Sequence, residues 1–453
     1  MKLRSWLFRV ALIYCASLLL FSIFEWAELN RQAELPVLPS NHHAKQEILN
    51  ATIPPAVSTA ASRYIFGRTD NKWVRIAYTS FQVLVFSAYL DLRSSDSGMG
   101  KTPAVRLPII MESKHKDEWL KESMFVCYFP QLNASVNAHL YEQCENHDQR
   151  YGSFIANCFV DISWTENLSS VQLRPSKSAD RDGHHEIVIS KSLVVKERPP
   201  FNTTVCVHSP IFGHAYSSEY IVRYVELTRL LGAEHFIFYI ASGSARRFED
   251  QRLLGVLRYY EASGLATIVD FGLPIDRPSD IWYHGQSSAV QDCIYRSVGS
   301  TNFLVLTDLD EFIVPLASVN WNTMFQQIWA NRPNATGFHV QPLYFNYPQW
   351  KKRAEFAPFI HFETTESGSP FFRLLTKCVV KPERVFEMGI HHISKQFHNY
   401  FSNEQLDKSI ARLHHYKSRQ SMDSSDSLRV NTIMLRYKND FGLRVHKVLY
   451  KYL

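Results

Sequence analysis

From about residue 197 onward, apolar positions fall into two alternating patterns, short unbroken runs and stripes at helical spacing. Val205-Cys-Val reads as a first buried strand. Over 218–231, Ile221, Tyr224, Val225, Thr228 and Leu231 share one stripe, which predicts a helix, and Gly232 follows as its cap. His235-Phe-Ile-Phe-Tyr-Ile240 has the length of a strand; a helix is predicted over 249–262 ahead of Gly264, and Leu265-Ala-Thr-Ile-Val269 is the next strand. Gln286 to Val298 predicts a third helix with Ala289, Val290, Cys293, Ile294 and Ser297 inward, and Phe303-Leu-Val-Leu306 a fourth strand. This alternation implies a mostly parallel sheet with helices packed on it, an α/β domain over 197–450.

Upstream the pattern changes. Trp73-Val-Arg-Ile-Ala-Tyr78, Phe81–Tyr89 and Ile187–Val195 are rich in β-branched and aromatic residues and are separated by turn formers such as Ser94-Ser-Asp-Ser-Gly98. They predict a β-rich N-terminal module over 63–196. Residues 25–62 carry Pro36, Pro39, Pro54 and Pro55 without periodicity and read as a stem. Before it, a basic tail over 1–9 leads into the apolar run Val10–Phe24. Counted with Trp6, Leu7 and Phe8, and with Arg9 snorkelling, the run reaches the length of a single transmembrane anchor. A cleaved signal peptide has the same polarity, but small residues in an A-x-A-like arrangement are missing after the run. The basic flank predicts a cytoplasmic N-terminus and a luminal remainder, the orientation of a type II membrane protein.

Composition supports that address. Beyond Cys15, six cysteines remain, Cys127, Cys144, Cys158, Cys206, Cys293 and Cys378, enough for three disulfides in an oxidising lumen and spaced unlike any zinc site. Sequons at Asn50, Asn133, Asn167, Asn202 and Asn334 are candidate N-glycosylation sites. Lys2, Arg4 and Arg9 contribute half of the net charge of +6 and the remainder is spread along the chain, without a basic block or nucleic-acid motif, so no nucleic-acid partner is expected.

The candidate chemistry lies in Thr307-Asp308-Leu309-Asp310-Glu311-Phe312, directly after the fourth strand. Ligands of open parallel sheets bind beyond the carboxyl ends of the strands. On an extended chain Asp308 and Asp310 point to the same side, and such a pair suits a hard divalent cation shared with substrate phosphates. An ion so held neutralises a diphosphate leaving group. Two solvated turn carboxylates would have the same spacing. A haloacid-dehalogenase-type phosphatase would need Thr or Val where Phe312 stands.

In this order, Phe86–Arg93, Val205-Cys-Val-His-Ser-Pro210, Tyr220–Gly232, His235–Ile240, Gln286–Arg296, Thr307–Phe312, Tyr344-Phe-Asn346, Lys377–Pro382, Gly389-Ile-His391 and His415-Tyr416 resemble glycosyltransferase family 92. The resemblance implies a GT-A-like nucleotide-sugar-binding domain, Mn2+ as cofactor, and transfer of a hexose, galactose from UDP-galactose, onto the glycan of a glycoprotein or glycolipid at the Golgi membrane. It also implies that Asp308 and Asp310 serve the metal and the donor. His391 and His415 are candidate further metal ligands. Gln286 and Asp292 on the third helix are candidates to face the nucleotide. An inverting transfer needs a carboxylate base, and spacing does not choose between Glu363 and Glu366. Trp321, Tyr344, Phe345, Tyr347 and Trp350 are available to stack on sugars, although packing is the expected role of most. The alternative function is a catalytically silent, membrane-anchored glycan-binding protein that keeps the fold.

Overall fold

A computed structural model describes residues 65–69, 72–76, 81–95, 98–113, 124–176, 185–211, 216–241, 251–275, 277–346, 360–363, 366–368, 375–417 and 429–452. The expected anchor and stem, Asn50, Tyr347 and Trp350 lie outside the described residues.

Among the described residues, the N-terminal part is built on nine strands, with short 3-10 turns at Gly98–Gly100, Pro130–Leu132 and Ile162–Asn167: β1 (Val74–Arg75), β2 (Val83–Val85), β3 (Ala88–Asp91), β4 (Ala104–Glu112), β5 (Phe125–Phe129), β6 (Ala134–Glu142), β7 (Tyr151–Phe159), β8 (Ser170–Pro175) and β9 (Ile187–Leu193). They form one sheet, β1-β2-β4-β3-β9-β8-β5-β6-β7, in which β7 also pairs with β4. The run Phe81–Tyr89, read as one strand, is divided at Phe86 and Ser87. Phe86 packs against Trp73 and Phe271, and Ser87 Oγ donates to Asp292, so both side chains serve contacts with the following domain. The bridge Cys127–Cys158 ties β5 to β7.

The second part opens with β10 (Phe201–Ile211), α1 (Ser218–Leu231), β11 (His235–Ile240), α2 (Gln251–Ala262), β12 (Ala266–Asp270), α3 (Gln286–Ser297) and β13 (Thr301–Leu306). After β13 come β14 (Glu311–Pro315), α4 (Trp321–Asn331), β15 (Ala335–Val340), β16 (Pro342–Asn346), β17 (Glu366–Gly368), β18 (Lys377–Val380), β19 (Val385–Met388), β20 (Ile393–Gln396), β21 (Ser402–Gln405), β22 (Ala411–Lys417), β23 (Arg429–Val430) and α5 (Lys438–Tyr452). The main sheet has the order β12-β11-β10-β13-β18-β15-β21, with β10 parallel to both β11 and β13. The chain therefore winds outward from β10 and returns to its other side at β13, which makes the β10–β13 junction a topological switch point. A second sheet, β14-β22-β16-β17-β23, lies beyond it.

Local chemistry explains these elements. Ser217 caps α1, its hydroxyl accepting from Tyr220 N, and Ile221, Tyr224, Val225, Thr228 and Leu231 are buried as the stripe predicts. Gly232 ends the helix at φ 129°, and a Cβ there would lie 2.9 Å from Trp321 Cβ, so the site demands glycine twice over. The helix α3 departs from expectation, because it is buried on every side and not along one stripe. Its outer polar face is covered by the N-terminal sheet and by the segment around β19: Asp292 accepts from Ser87 and Tyr89, while Gln291 donates to Phe386 O and accepts from Met388 N. The bridge Cys206–Cys293 fixes α3 to β10.

Cys144 and Cys378 remain thiols, the first exposed and the second buried. Cys144 Sγ lies 3.0 Å from Ser394 Oγ, and Cys378 Sγ lies 3.5 Å from His339 Nδ1. The six candidates thus give two bridges among the described residues.

Candidate active site

At the switch point, Ser209 from the end of β10 meets Asp308 from just beyond β13: Ser209 Oγ donates to Asp308 Oδ1 at 2.5 Å. The acidic run is a turn and not extended backbone, closed by Glu311 N donating to Asp308 O at 3.2 Å. Leu309 turns inward, 2% exposed, while 27% and 28% of the Asp308 and Asp310 side-chain surfaces stay open. A ligand can reach both carboxylates.

The other oxygen of Asp308 accepts from Lys377 Nζ at 2.6 Å, and the same ammonium lies 3.5 Å from Glu311 Oε2. Lys377 opens β18, and its side chain is wholly buried. The ammonium and the Ser209 hydroxyl hold the Asp308 carboxyl far below the usual carboxylate range despite its burial. Reciprocally, the carboxylates raise Lys377 above its ordinary value, so the lysine stays charged. Glu311 accepts from Asp308 N at 3.0 Å and faces His415 across the β14–β22 pair. His415 Nε2 lies 3.0 Å from Asp310 Oδ2, and its Nδ1 lies 3.4 Å from Glu311 Oε1.

His391 is half-buried, with Nδ1 donating to Thr376 O at 3.2 Å. Burial and the nearby Lys377 ammonium push its imidazole well below the ordinary histidine value, so it is neutral. Of the two histidines expected at the metal, His415 touches Asp310. His391 sits on a backbone carbonyl instead.

The donor-side expectations need correction. Gln286 is buried, and its Nε2 donates to Ser209 Oγ at 2.7 Å and to His208 Nδ1 at 2.8 Å, so it supports Asp308 through Ser209 and does not present that nitrogen to a nucleotide. Asp292 is 0% exposed and saturated: it accepts from Ser87, Tyr89, Tyr239 and Arg296 at 2.5–2.6 Å. No ligand face is left on it. Trp321, Tyr344 and Phe345 are core residues, with Trp321 Nε1 donating to Ile313 O and Tyr344 set edge-on to His415. Glu363 closes a short helix, Ile360–Glu363, and Glu366 opens β17; only their backbone is described.

Of the sequons, Asn133, Asn167 and Asn334 are exposed, whereas the Asn202 amide is engaged with Asn322 and Asn302. Spacing pointed to Asp308 and Asp310 but not to Ser209, Glu311, Lys377 or His208 as their partners. The available signals were that these residues fall within the segments that carry the family resemblance and that a lysine opens the otherwise apolar run Lys377-Cys-Val-Val380.

The burial of neutral histidines predicts acid lability. His208, His235 and His414 are at most 1% exposed, and burial pushes them down to about 3, about 4 and about 3. Below the ordinary value of 6.5 the unfolded chain takes up protons that the folded protein refuses, so stability is complete above that value and is lost as pH falls through it toward 4. Each histidine removes on the order of 1.4 kcal/mol per pH unit across that window. Denaturant titrations at pH 7, 6 and 5 should show a progressive fall; equal stabilities at the three values would contradict these burials.

Among the described residues, no three histidine, cysteine, aspartate or glutamate side chains converge to cage an ion alone. The donor set nevertheless fits a cation shared with a ligand. Asp308 and Asp310 present partly open carboxylates on one turn, and His415 offers an imidazole nitrogen beside Asp310.

Comparison with known proteins places this arrangement. A β-1,4-galactosyltransferase of Caenorhabditis elegans, galt-1, is 28% identical over 349 residues, 76% of either chain. A second C. elegans protein, the glycosyltransferase family 92 protein F13G3.3, is 22% identical over 273 residues, 57% of this chain and 50% of that one. A crystal structure of apo UDP-glucose pyrophosphorylase aligns with 56% of this chain and 100% of its own at 6% identity and a TM-score of 0.23, too slight a likeness to bear on the fold. The model of glycosyltransferase family 92 matches residues 202–446, from the first strand of the main sheet to the last helix and across the whole acid cluster. The chain belongs to glycosyltransferase family 92 and is a glycosyltransferase.

Proposed function

We propose that the enzyme transfers galactose from UDP-galactose to a glycan acceptor, with inversion and with Mn2+ at Asp308, Asp310 and His415. The observation that carries the reading is the location of the partly open Asp308–Asp310 pair at the switch point between β10 and β13, where a nucleotide-binding sheet receives its ligand. The order β12-β11-β10-β13, with β18 antiparallel beside it, supports a GT-A-type donor domain. The galactose assignment rests on the galactosyltransferase named above.

When bound, the cation would neutralise the charge that develops on the departing diphosphate. The protein's own residues prepare the place. Lys377 and Ser209 keep Asp308 ionised and aimed, Gln286 holds Ser209, and the turn closed by Glu311 presents Asp310 beside His415. Because Lys377 is itself buried and fully charged, the carboxylate orientation exists before any ligand arrives, which is the condition for electrostatic stabilisation without reorganisation. The basic-then-apolar start and the exposed sequons support a luminal catalytic part on a single anchor, and the Golgi location rests on the family resemblance. Among the described residues no helix is long and apolar enough to cross a membrane.

The test is nucleotide release from a panel of sugar nucleotides by the full-length protein with Mn2+ and mixed glycan acceptors. UDP-galactose should give acceptor-stimulated release, and chelation should remove it. Release from another donor would reassign the sugar; binding of donor and metal without release would favour the silent glycan-binding protein.

A further inference from the structure

The Glu311 side chain touches three parts of the acid cluster, the Asp308 backbone, Lys377 and His415. It is 3% exposed, and it does not offer itself to a ligand as Asp308 and Asp310 do. Its Oε2 accepts from Asp308 N at 3.0 Å and lies 3.5 Å from Lys377 Nζ, while its Oε1 lies 3.4 Å from His415 Nδ1. The strand register puts Glu311 directly opposite His415 on β14 and β22, so the backbone itself holds the pair together. His415 Nδ1 is buried and has no hydrogen-bond partner, and the ion-pair contact at that nitrogen is with Glu311. On the other side of the ring, Nε2 faces Asp310 Oδ2 at 3.0 Å.

We infer that Glu311 is a positioning residue: by acting as the acceptor for the Nδ1–H of His415 it leaves the Nε2 lone pair facing Asp310, so that His415 joins Asp308 and Asp310 as a protein ligand of the cation. A carboxylate behind an imidazole fixes both the tautomer and the ring orientation of a metal-binding histidine, and losing it typically costs 10- to 100-fold in affinity. Nε2 and Asp310 Oδ2, 3.0 Å apart, are then two acceptors side by side, and a cation between them takes the place of the hydrogen bond that a proton on Nε2 would make. Lys377 completes the device, since its ammonium offsets the second oxygen of Glu311 and leaves the first for the ring. The inference rests on the cation reading of the site but concerns a residue outside the aspartate pair.

The test measures Mn2+ binding to the full-length protein, by loss of the free-ion electron paramagnetic resonance signal, for wild type, Glu311→Gln, His415→Ala and the double variant. Glu311→Gln should weaken binding at least about tenfold, and should weaken it no further once His415 is alanine. An equal loss in both backgrounds, or no loss in either, overturns the inference while leaving the cation site standing. A wild-type protein that binds no Mn2+ removes the cation reading and the inference with it. The wild type supplies a second readout that does not depend on a variant folding. Nitrogen-15 histidine spectra, with His415 assigned by its absence in His415→Ala, should place the proton on Nδ1. A proton on Nε2 alone overturns the inference.

Discussion

Replacing Asp310 with alanine is expected to lower the transfer rate by about three orders of magnitude or more while leaving the melting temperature close to that of the wild type. The rate effect follows from the proposed role: a cation that offsets developing charge contributes several kcal/mol, and each 1.4 kcal/mol or so is a tenfold change. The small stability effect follows from position. Asp310 lies in a turn with 28% of its side-chain surface open, and His415, which it contacts, has other contacts, with Tyr344 and Glu311. Steady-state rates and a thermal melt on the same preparation check both halves. A variant that retained more than a tenth of the rate would remove Asp310 from the mechanism.

The opposite signature is expected for Asp292. Asp292→Ala should lower stability by about 3–5 kcal/mol, the loss usual when one member of a buried ion pair is deleted. Arg296, wholly buried, would lose its carboxylate and keep the carbonyls of Phe66 and Arg68. Ser87, Tyr89 and Tyr239 would each lose an acceptor inside the protein. Because Ser87 and Tyr89 belong to the N-terminal sheet and Tyr239 to β11, the change acts where two layers meet on α3. Denaturant unfolding measures it. If Asp292→Ala unfolded like the wild type but raised the Michaelis constant for the donor, the original expectation of a nucleotide contact would be restored.

These two aspartates show what the sequence displays and what it conceals. Asp308 and Asp310 were legible because they follow a strand that periodicity identifies, and the carboxyl end of such a strand is where ligands bind. The bounds of α1 were equally legible, its length from the apolar stripe and its end from Gly232, and the structure adds Ser217 as the cap at its start. Asp292 misled because helical periodicity assigns a polar residue to the solvent side, and nothing in the spacing announces that a second sheet covers that side. The partners of Asp308 were hidden for a related reason. Lys377 lies 69 residues away and Ser209 lies 99, and only the sheet order brings them to one point. The break between β2 and β3 at Phe86-Ser87 was also invisible, because the contact that Ser87 makes there lies more than two hundred residues away.

The most direct test of the central claim is transfer of labelled galactose from UDP-galactose to glycan acceptors by the purified full-length protein, with Mn2+ present and then removed by a chelator. Labelled product that disappears on chelation and returns with added Mn2+ is the predicted result. Transfer that continues undiminished in chelator would contradict a cation at Asp308 and Asp310, and no transfer from UDP-galactose by folded, Mn2+-loaded protein would contradict the assigned reaction.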